Sequence, residues 1–263
     1  MMYSVSTLTI VCIWVVLFLC LALIAVPYVY IRKKFNPSMR SFFVGAIIFA
    51  LFAVLLENAP KQLILANLMA SGAANWLIAL AGALMAGIFE ETGRFFAFSV
   101  IFKKSRENDG NALMYGAGHA GCEIVLIVMF AMINNLIMAS SLNAGNAEAL
   151  LAGADESQRM VLEESFRQLS TATPGLFLVS VVERLAAVVA HISLSVVVWA
   201  ACKIPGKKWM FLLAILLHAY FDFIPAICSL NGVPVGLIEL EVYFGAVLCA
   251  AVAIRVWKKV IKG

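Results

Sequence analysis

The stretch Ala86–Phe96, AGIFEETGRFF, sets two adjacent glutamates and an arginine inside a long apolar segment, with no other charge for a dozen residues before them. Charges in such a place are costly, so what surrounds them decides how they are read. The chain has 263 residues, of which 63 % are hydrophobic and 13 % charged. A soluble chain is ~45–50 % apolar and ~25 % charged. This chain therefore reads as all-α, a polytopic helical bundle in a membrane.

A spanning helix takes ~20 mostly apolar residues. Candidates run from Thr7 to Ile31, Ser41 to Leu56, Asn75 to Phe102, Ala112 to Ser140, Gly175 to Cys202, Trp209 to Cys228 and Val235 to Val256, about seven in all. The third, fourth and fifth are the longest and are expected to tilt, kink or extend past the bilayer. The first has its basic residues after the apolar run, at Arg32, Lys33 and Lys34, and reads as an anchor and not as a cleaved signal.

Basic residues gather on the cytoplasmic side. They cluster at Arg32–Arg40, Lys103–Arg106, Lys203–Lys208 and Arg255–Lys262, while the opposite loops hold Lys61, Arg159 and Arg167. This alternation puts the N-terminus outside and the C-terminus in the cytoplasm. The net charge of +4 is thus a topology signal and gives no reason to expect nucleic acid. The six cysteines lie in or at the ends of spans without a CxxC and read as packing residues. The chain is expected to be one integral membrane domain, 1–263, with its core at 75–228 and an external loop at 141–174. Met160, Val161, Leu162, Phe166 and Leu169 recur at helical spacing in that loop, which predicts a helix on the outer surface, read as a connector in preference to a cap.

Ionisable residues within spans face the bundle interior and mark function. The set is Glu90, Glu91 and Arg94 in the third span, His119 and Glu123 in the fourth, Glu183, Arg184 and His191 in the fifth, and His218 and Asp222 in the sixth. All three histidines of the chain are in it. Glu90–Arg94, His119–Glu123 and His218–Asp222 are each spaced i, i+4 and share a helix face. At 1.5 Å per residue, Glu90, His119, Glu123, His191, His218 and Asp222 all lie ~15–21 Å from the cytoplasmic edge. Four helices thus bring an acid or a histidine to one layer. Glu183 and Arg184 lie ~30 Å from that edge and fit an ion pair or a rim. Gly82, Ala86, Gly87, Gly116, Gly118 and Gly121 let helices approach, or leave room for a substrate backbone. Pro225 is expected to bend the sixth span.

An isolated buried Glu–Arg pair is most often a lock between helices, and a single His–acid pair is as often a proton relay as a catalyst. The shared layer raises this set above both. Three histidines with several carboxylates can hold a metal, activate water or carry protons.

These residues resemble a known group. EETGR resembles the EExxR motif of the CAAX-protease and bacteriocin-processing superfamily of intramembrane peptidases, HAYFD its HxxxN/D motif, and YGAGH its FxxxH motif with Tyr115 in place of Phe. With GHAGCE and ERLAAVVAHISLS, the pattern is most similar to the YhfC family of membrane peptidases, with the PrsW proteases and the gamma-secretase scaffold subunit more distant. The resemblance covers spans three to six. It implies an intramembrane endopeptidase in a bacterial plasma membrane, acting on a membrane protein or peptide. It implies catalytic roles for Glu90, Glu91, His119, His218 and Asp222, with Arg94, Glu123, Glu183, Arg184 and His191 in support. Two mechanisms fit. In one, Glu90 takes a proton from water and His218, oriented by Asp222, stabilises the oxyanion. In the other, His119, His191 and His218 bind Zn2+ and Glu90 activates the metal-bound water. The metal-free version is slightly preferred. A proton-coupled transporter and a non-catalytic scaffold are the rivals; the first usually shows internal repeats, absent from this sequence, and retention of both glutamates argues against the second. The sequence does not set the oligomeric state.

Overall fold

The structure, a computed structural model, describes residues 3–261. Lys262, the last member of the C-terminal basic cluster, lies outside them. All regular structure among the described residues is helical. Seven helical stretches there are long and apolar enough to cross a membrane, as expected. Six keep close to the bounds read from sequence. The second is longer, Met39–Ala70, where the sequence suggested an end at Leu56.

The reason lies at Glu57 and Pro60. Helix α1 is Thr7–Phe35 and α2 is Met39–Phe49; a π-helical stretch, Ala50–Leu56, then leads into α3, Asn58–Ala70. Glu57 ends the hydropathy signal, but it is buried and its carboxylate accepts from Lys61 Nζ at 2.6 Å, so the helix carries it. Pro60 sits in the first turn of α3, where a missing N–H costs no helical bond.

The chain continues through α4 (Asn75–Phe96), α5 (Gly110–Glu123), α6 (Phe130–Asn143), α7 (Ala147–Leu151), α8 (Glu156–Thr171), α9 (Leu176–Lys203), α10 (Trp209–Leu230) and α11 (Val235–Val256). It forms two compact units. The larger comprises Leu23–Glu123 and the described residues from Glu183 onward. Its core packs Trp199, Phe98, Phe102 and Tyr115 edge to face, with ring centroids 4.7 Å apart for Phe98–Tyr115 and 5.0 Å for Phe98–Trp199. α5 and the second half of α9 are its most enclosed parts: α5 is buried over nearly its whole length from Gly110 to Gly121, and α9 from Ala186 to Ala201. Arg106 caps two helical ends at once, donating to Phe98 O at 3.0 Å and Cys202 O at 2.6 Å. Asp109 accepts from Trp199 Nε1 at 2.9 Å and Lys203 Nζ at 2.6 Å.

Glycine sets how closely these helices cross. A Cβ on Gly118 would stand 1.9 Å from Phe42 O of α2, and one on Gly45 2.1 Å from Tyr115 O of α5. A Cβ on Gly116 would meet Ile192 Cα at 2.6 Å, and on Gly87, Ile215 O at 2.9 Å. These are backbone-on-backbone crossings that no side chain could enter. Gly82 differs, since its added Cβ would meet only Leu65 methyls at 3.9 Å.

The smaller unit comprises the described residues up to Ala22 with Ile124–Val182. Asn143 pins its N-terminal segment: its side-chain amide donates to Val5 O at 2.9 Å and accepts from Val5 N–H at 2.8 Å. α8 is the helix expected in the external loop, and it opens with a capping box between Asp155 and Gln158. Its apolar stripe is narrower than the sequence suggested. Phe166 and Leu169 are buried, but Met160 and Val161 are 62 % and 67 % exposed. Leu162, Phe166 and Leu169 follow i, i+4, i+7 on one face, and Met160 and Val161 fall off it.

Gly118→Ala is expected to destabilise the protein by ~1–3 kcal/mol or more through overpacking. Gly121→Ala, whose Cβ meets nothing closer than 3.4 Å, is expected to be mild. Unfolding midpoints of the two purified variants compare them directly.

Candidate active site

Four helices build the site, each supplying a side chain to one buried cluster. α4 brings Glu90, Glu91 and Arg94; α5 brings His119 and Glu123; α9 brings Arg184 and His191; α10 brings His218 and Asp222. Glu91, Arg94 and His119 are fully enclosed, and Glu90, His191 and His218 are at most 8 % exposed. The layer read from residue counting is thus one cluster in space.

Its centre is the Glu90 carboxylate. His119 Nε2 lies 2.9 Å from Glu90 Oε2, His218 Nε2 3.8 Å and His191 Nδ1 4.0 Å from the same oxygen. Three imidazoles from three helices converge on one carboxylate oxygen. Their rings stand close, with centroids 4.8 Å apart for His119–His191 and 5.6 Å for His191–His218. Phe49 of α2 closes one side, edge-on to His119 at 5.0 Å.

The outer nitrogens of two of these histidines are held by carboxylates. His191 Nε2 lies 2.7 Å from Glu123 Oε2, and His218 Nδ1 lies 2.7 Å from Glu91 Oε1. An ionised carboxylate only accepts, so both nitrogens donate when these acids are ionised, and in a neutral ring the inner nitrogen then keeps its lone pair. Arg94 Nη2, which can only donate, lies 3.3 Å from His191 Nδ1 and agrees with that tautomer. Each carboxylate has its own cation: Arg94 pairs with Glu91, and Arg184 with both Glu123 and Glu183.

The partners are therefore not those of shared helix faces. Arg94 pairs with Glu91 at i, i+3, whereas the i, i+4 spacing pointed to Glu90. His119 and Glu123 share a face but bond to Glu90 and to His191, on other helices. The His218–Asp222 pair does form within one helix, Nε2 to Oδ2 at 3.5 Å. Glu183 and Arg184 fit the expected rim, since both line the cavity.

That cavity has a volume of about 190 Å³ and is walled by Glu90, Glu123, Arg184, His191, His218 and Asp222, among others. Among the acids lining the cavity, Glu183 and Asp222 are the most open, with 42 % and 36 % of their side chains exposed against 10 % for Glu90. Phe221 and Pro225 of α10 complete one wall. Pro225 has no N–H for the Phe221 carbonyl, which leaves a backbone acceptor there. The Tyr115 hydroxyl, Arg94 Nε, Glu91 Oε2 and His119 Nδ1 are buried without a hydrogen-bond partner among the described residues. Buried groups of this kind are normally met by ordered water.

A divalent metal is a fair test of the donor set. Donor atoms of Glu90, His119 and His191 all lie within 4.8 Å of one another, and all three residues are buried. His218 offers a further inner nitrogen beside them. The carboxylates behind His191 and His218 are the usual second support of metal-bound imidazoles. The residues fit a metal of the zinc type.

Two acids were missed in the sequence. Glu57, only 1 % exposed, falls just past the second span as read from sequence, Ser41–Leu56, although its i, i+4 partner Lys61 was a signal that it could be carried inside. Glu239 of α11 has a buried Oε2 without a hydrogen bond and lies in the field of Glu183 and Arg184.

The model of the YhfC intramembrane metalloprotease family matches residues 17–243 of this chain. A curated relative, the uncharacterised membrane protein YhfC of Bacillus subtilis strain 168, is 34 % identical over 211 residues, which cover 78 % of this chain and 79 % of the relative. No solved structure matches.

Arg184→Met would leave the Glu123 carboxylate buried without its cation. Breaking a buried pair from one side costs ~3–5 kcal/mol. Arg167→Met, on an exposed face of α8, is expected to leave stability nearly unchanged. Unfolding midpoints in detergent separate the two.

Proposed function

This chain belongs to the YhfC intramembrane metalloprotease family, and from that premise we propose that it is an integral membrane endopeptidase whose centre is Glu90 with His119, His191 and His218. The observation that carries this reading is the convergence of three imidazole nitrogens on Glu90 Oε2 within 4.0 Å, in a cavity deep in the bundle. Its substrates are membrane proteins or peptides.

Glu90, His119 and His191 would hold a divalent ion, with His218 adjacent. Such an ion, when bound, makes water a nucleophile at neutral pH and polarises the carbonyl under attack. The remaining roles belong to side chains. Glu123 keeps His191 in the tautomer whose Nδ1 carries a lone pair, which Arg94 Nη2 faces at 3.3 Å and which an ion would take over, and Arg184 holds Glu123 in place. Glu91, paired with Arg94, does the same for His218. Asp222 lines the cavity and stands 3.5 Å from His218 Nε2. It accepts a proton from the attacking water and returns it to the leaving amine, with His218 sharing that proton.

A metal-free reading is favoured by one contact, His119 Nε2 at 2.9 Å from Glu90 Oε2, which suits Glu90 as the general base. Metal content separates the two. The metal reading expects about one zinc-type ion per chain in active protein, lost in His119→Ala, with chelators abolishing activity. Active protein that carries no metal and ignores chelators would favour the glutamate base. Under either, Glu90→Gln is expected to lower turnover by ~10²–10⁴-fold while the unfolding midpoint holds. New protein termini that appear in native membranes with wild type, and equally with Glu90→Gln, would overturn the assignment.

A further inference from the structure

Away from the catalytic cluster, the larger unit carries a groove of about 240 Å³. Phe35 at the end of α1, Leu113 of α5, Ile192 and Val196 of α9, Ala250 of α11 and Trp257 just past it form its walls. Apart from Ser193 the lining is apolar. Ile254, on its edge, is 55 % exposed, so the groove opens sideways to the surroundings of the protein. For helices that cross a membrane, those surroundings are lipid. From Trp257 back to Ala250 the wall runs ~10 Å, and Ile192 lies ~16 Å from Lys203 at the basic end of α9. That depth is about half of a hydrocarbon core ~30 Å thick, so the groove occupies one leaflet.

The mouth of the groove is cationic. Phe35 and Trp257 stack edge to face with ring centroids 5.7 Å apart. This joins the end of α1, with Lys33 and Lys34, to the stretch that carries Arg255, Lys258 and Lys259. All five cations are exposed. Lys34 is placed by contact: its Nζ lies 5.6 Å from the centre of the Phe35 ring, which lines the groove, and donates to the Tyr30 hydroxyl at 2.8 Å. An ammonium has three N–H groups, so two more can serve an anion. The loop before α5 is tied to the same place, since Asn108 Nδ2 donates to Phe35 O at 3.2 Å. Of the two acids in that loop, Asp109 is buried and engaged by Lys203 and Trp199, which leaves Glu107 against five exposed cations.

A groove that is apolar along its length and cationic where it meets the membrane surface matches a molecule with a hydrocarbon tail and an anionic head. Basic pockets between spans are the usual seats of anionic lipid heads, and an aromatic ring at that level suits the boundary between tail and head. A partner helix, ~10–12 Å across, would lie over such a groove and not in it.

We propose that this groove binds one anionic phospholipid, with an acyl chain between α9 and α11 and the phosphate held by Lys34 together with Lys33, Arg255, Lys258 and Lys259. The chain would pack against Ile192, whose neighbour His191 faces Glu90, so the lipid braces the helix that carries one of the three imidazoles.

The test is native mass spectrometry of the full chain released from nanodiscs that hold phosphatidylcholine and phosphatidylglycerol in equal amounts. Wild type is expected to keep one phosphatidylglycerol and to shed phosphatidylcholine. A variant combining Lys33→Gln, Lys34→Gln, Lys258→Gln and Lys259→Gln, all at exposed positions, is expected to lower the retained fraction at least tenfold. Ala250→Phe, which fills the groove and leaves every charge in place, is expected to do the same. A variant combining Lys103→Gln, Lys104→Gln, Lys207→Gln and Lys208→Gln removes as much charge from residues outside the groove lining, and is expected to retain the lipid as wild type does. Equal retention of both lipids, or equal loss in the two quadruple variants, would overturn the site in favour of unspecific attraction to the bilayer. Glycerol 3-phosphate has the head without the chain; if it raised the unfolding midpoint in detergent as much as phosphatidylglycerol does, the groove would have no part in binding and the proposal would fall. None of these outcomes bears on the hydrolase reading.

Discussion

Every charge buried among these helices has to be answered by another, because lipid offers no partner. That requirement organises the larger unit. Arg94 answers Glu91, Glu91 holds His218, and His218 faces Glu90. Arg184 answers Glu123, Glu123 holds His191, and His191 faces the same Glu90 oxygen. Two chains, each running from an arginine through a carboxylate to an imidazole, end on one side chain. Rigidity follows from that closure, since no member can turn without stranding its neighbour. The glycine crossings at Gly45 and Gly118 bring α2 and α5 close enough for Phe49 to seal the His119 side.

Much of this was legible in the sequence, and the reason is physical. A bilayer imposes one length and one polarity on every span, so hydropathy alone placed seven stretches, and a shared depth picked out Glu90, His119, Glu123, His191, His218 and Asp222 together. Partner choice was not legible. Spacing reports which residues share a face, but which helix stands opposite that face is a tertiary fact. Hence His119 went to Glu90 and Glu123 to His191, on other helices, while Arg94 took Glu91 on its own helix, where Glu90 is turned to the imidazoles. Glu57 was missed because it closes the apolar run Ser41–Leu56, while its pairing with Lys61 one turn on keeps it within the helix. The narrower stripe of α8 has a similar origin: apolar residues in an exposed helix count only when their phase meets a neighbour.

The family and the geometry also meet on a point that neither supplies alone. Family membership points to a metal-using peptidase. The donor set is more specific, because it distinguishes imidazoles braced from behind, His191 and His218, from one whose outer nitrogen has no hydrogen-bond partner among the described residues, His119. Bracing fixes both orientation and tautomer, and both matter to an atom that must keep its lone pair aimed at a centre. The difference gives the three histidines unequal tasks, although the sequence presents them as equivalent.

The network also has an order in time. Glu91 and Arg94 neutralise each other within one helical turn, so α4 can enter the bilayer with that pair already made. Glu123 meets Arg184 only 61 residues later, and Glu91 meets His218 only after 127. At a synthesis rate of ~5–20 residues per second, the second interval is on the order of 6–25 s. For that period Glu90 stands in the membrane with the last of its imidazole neighbours still unmade. The arginine three residues beyond Glu91 is then an escort for the nascent helix as much as a strut in the finished one, and the insertion machinery has to shelter a half-built polar cluster until the sixth span arrives.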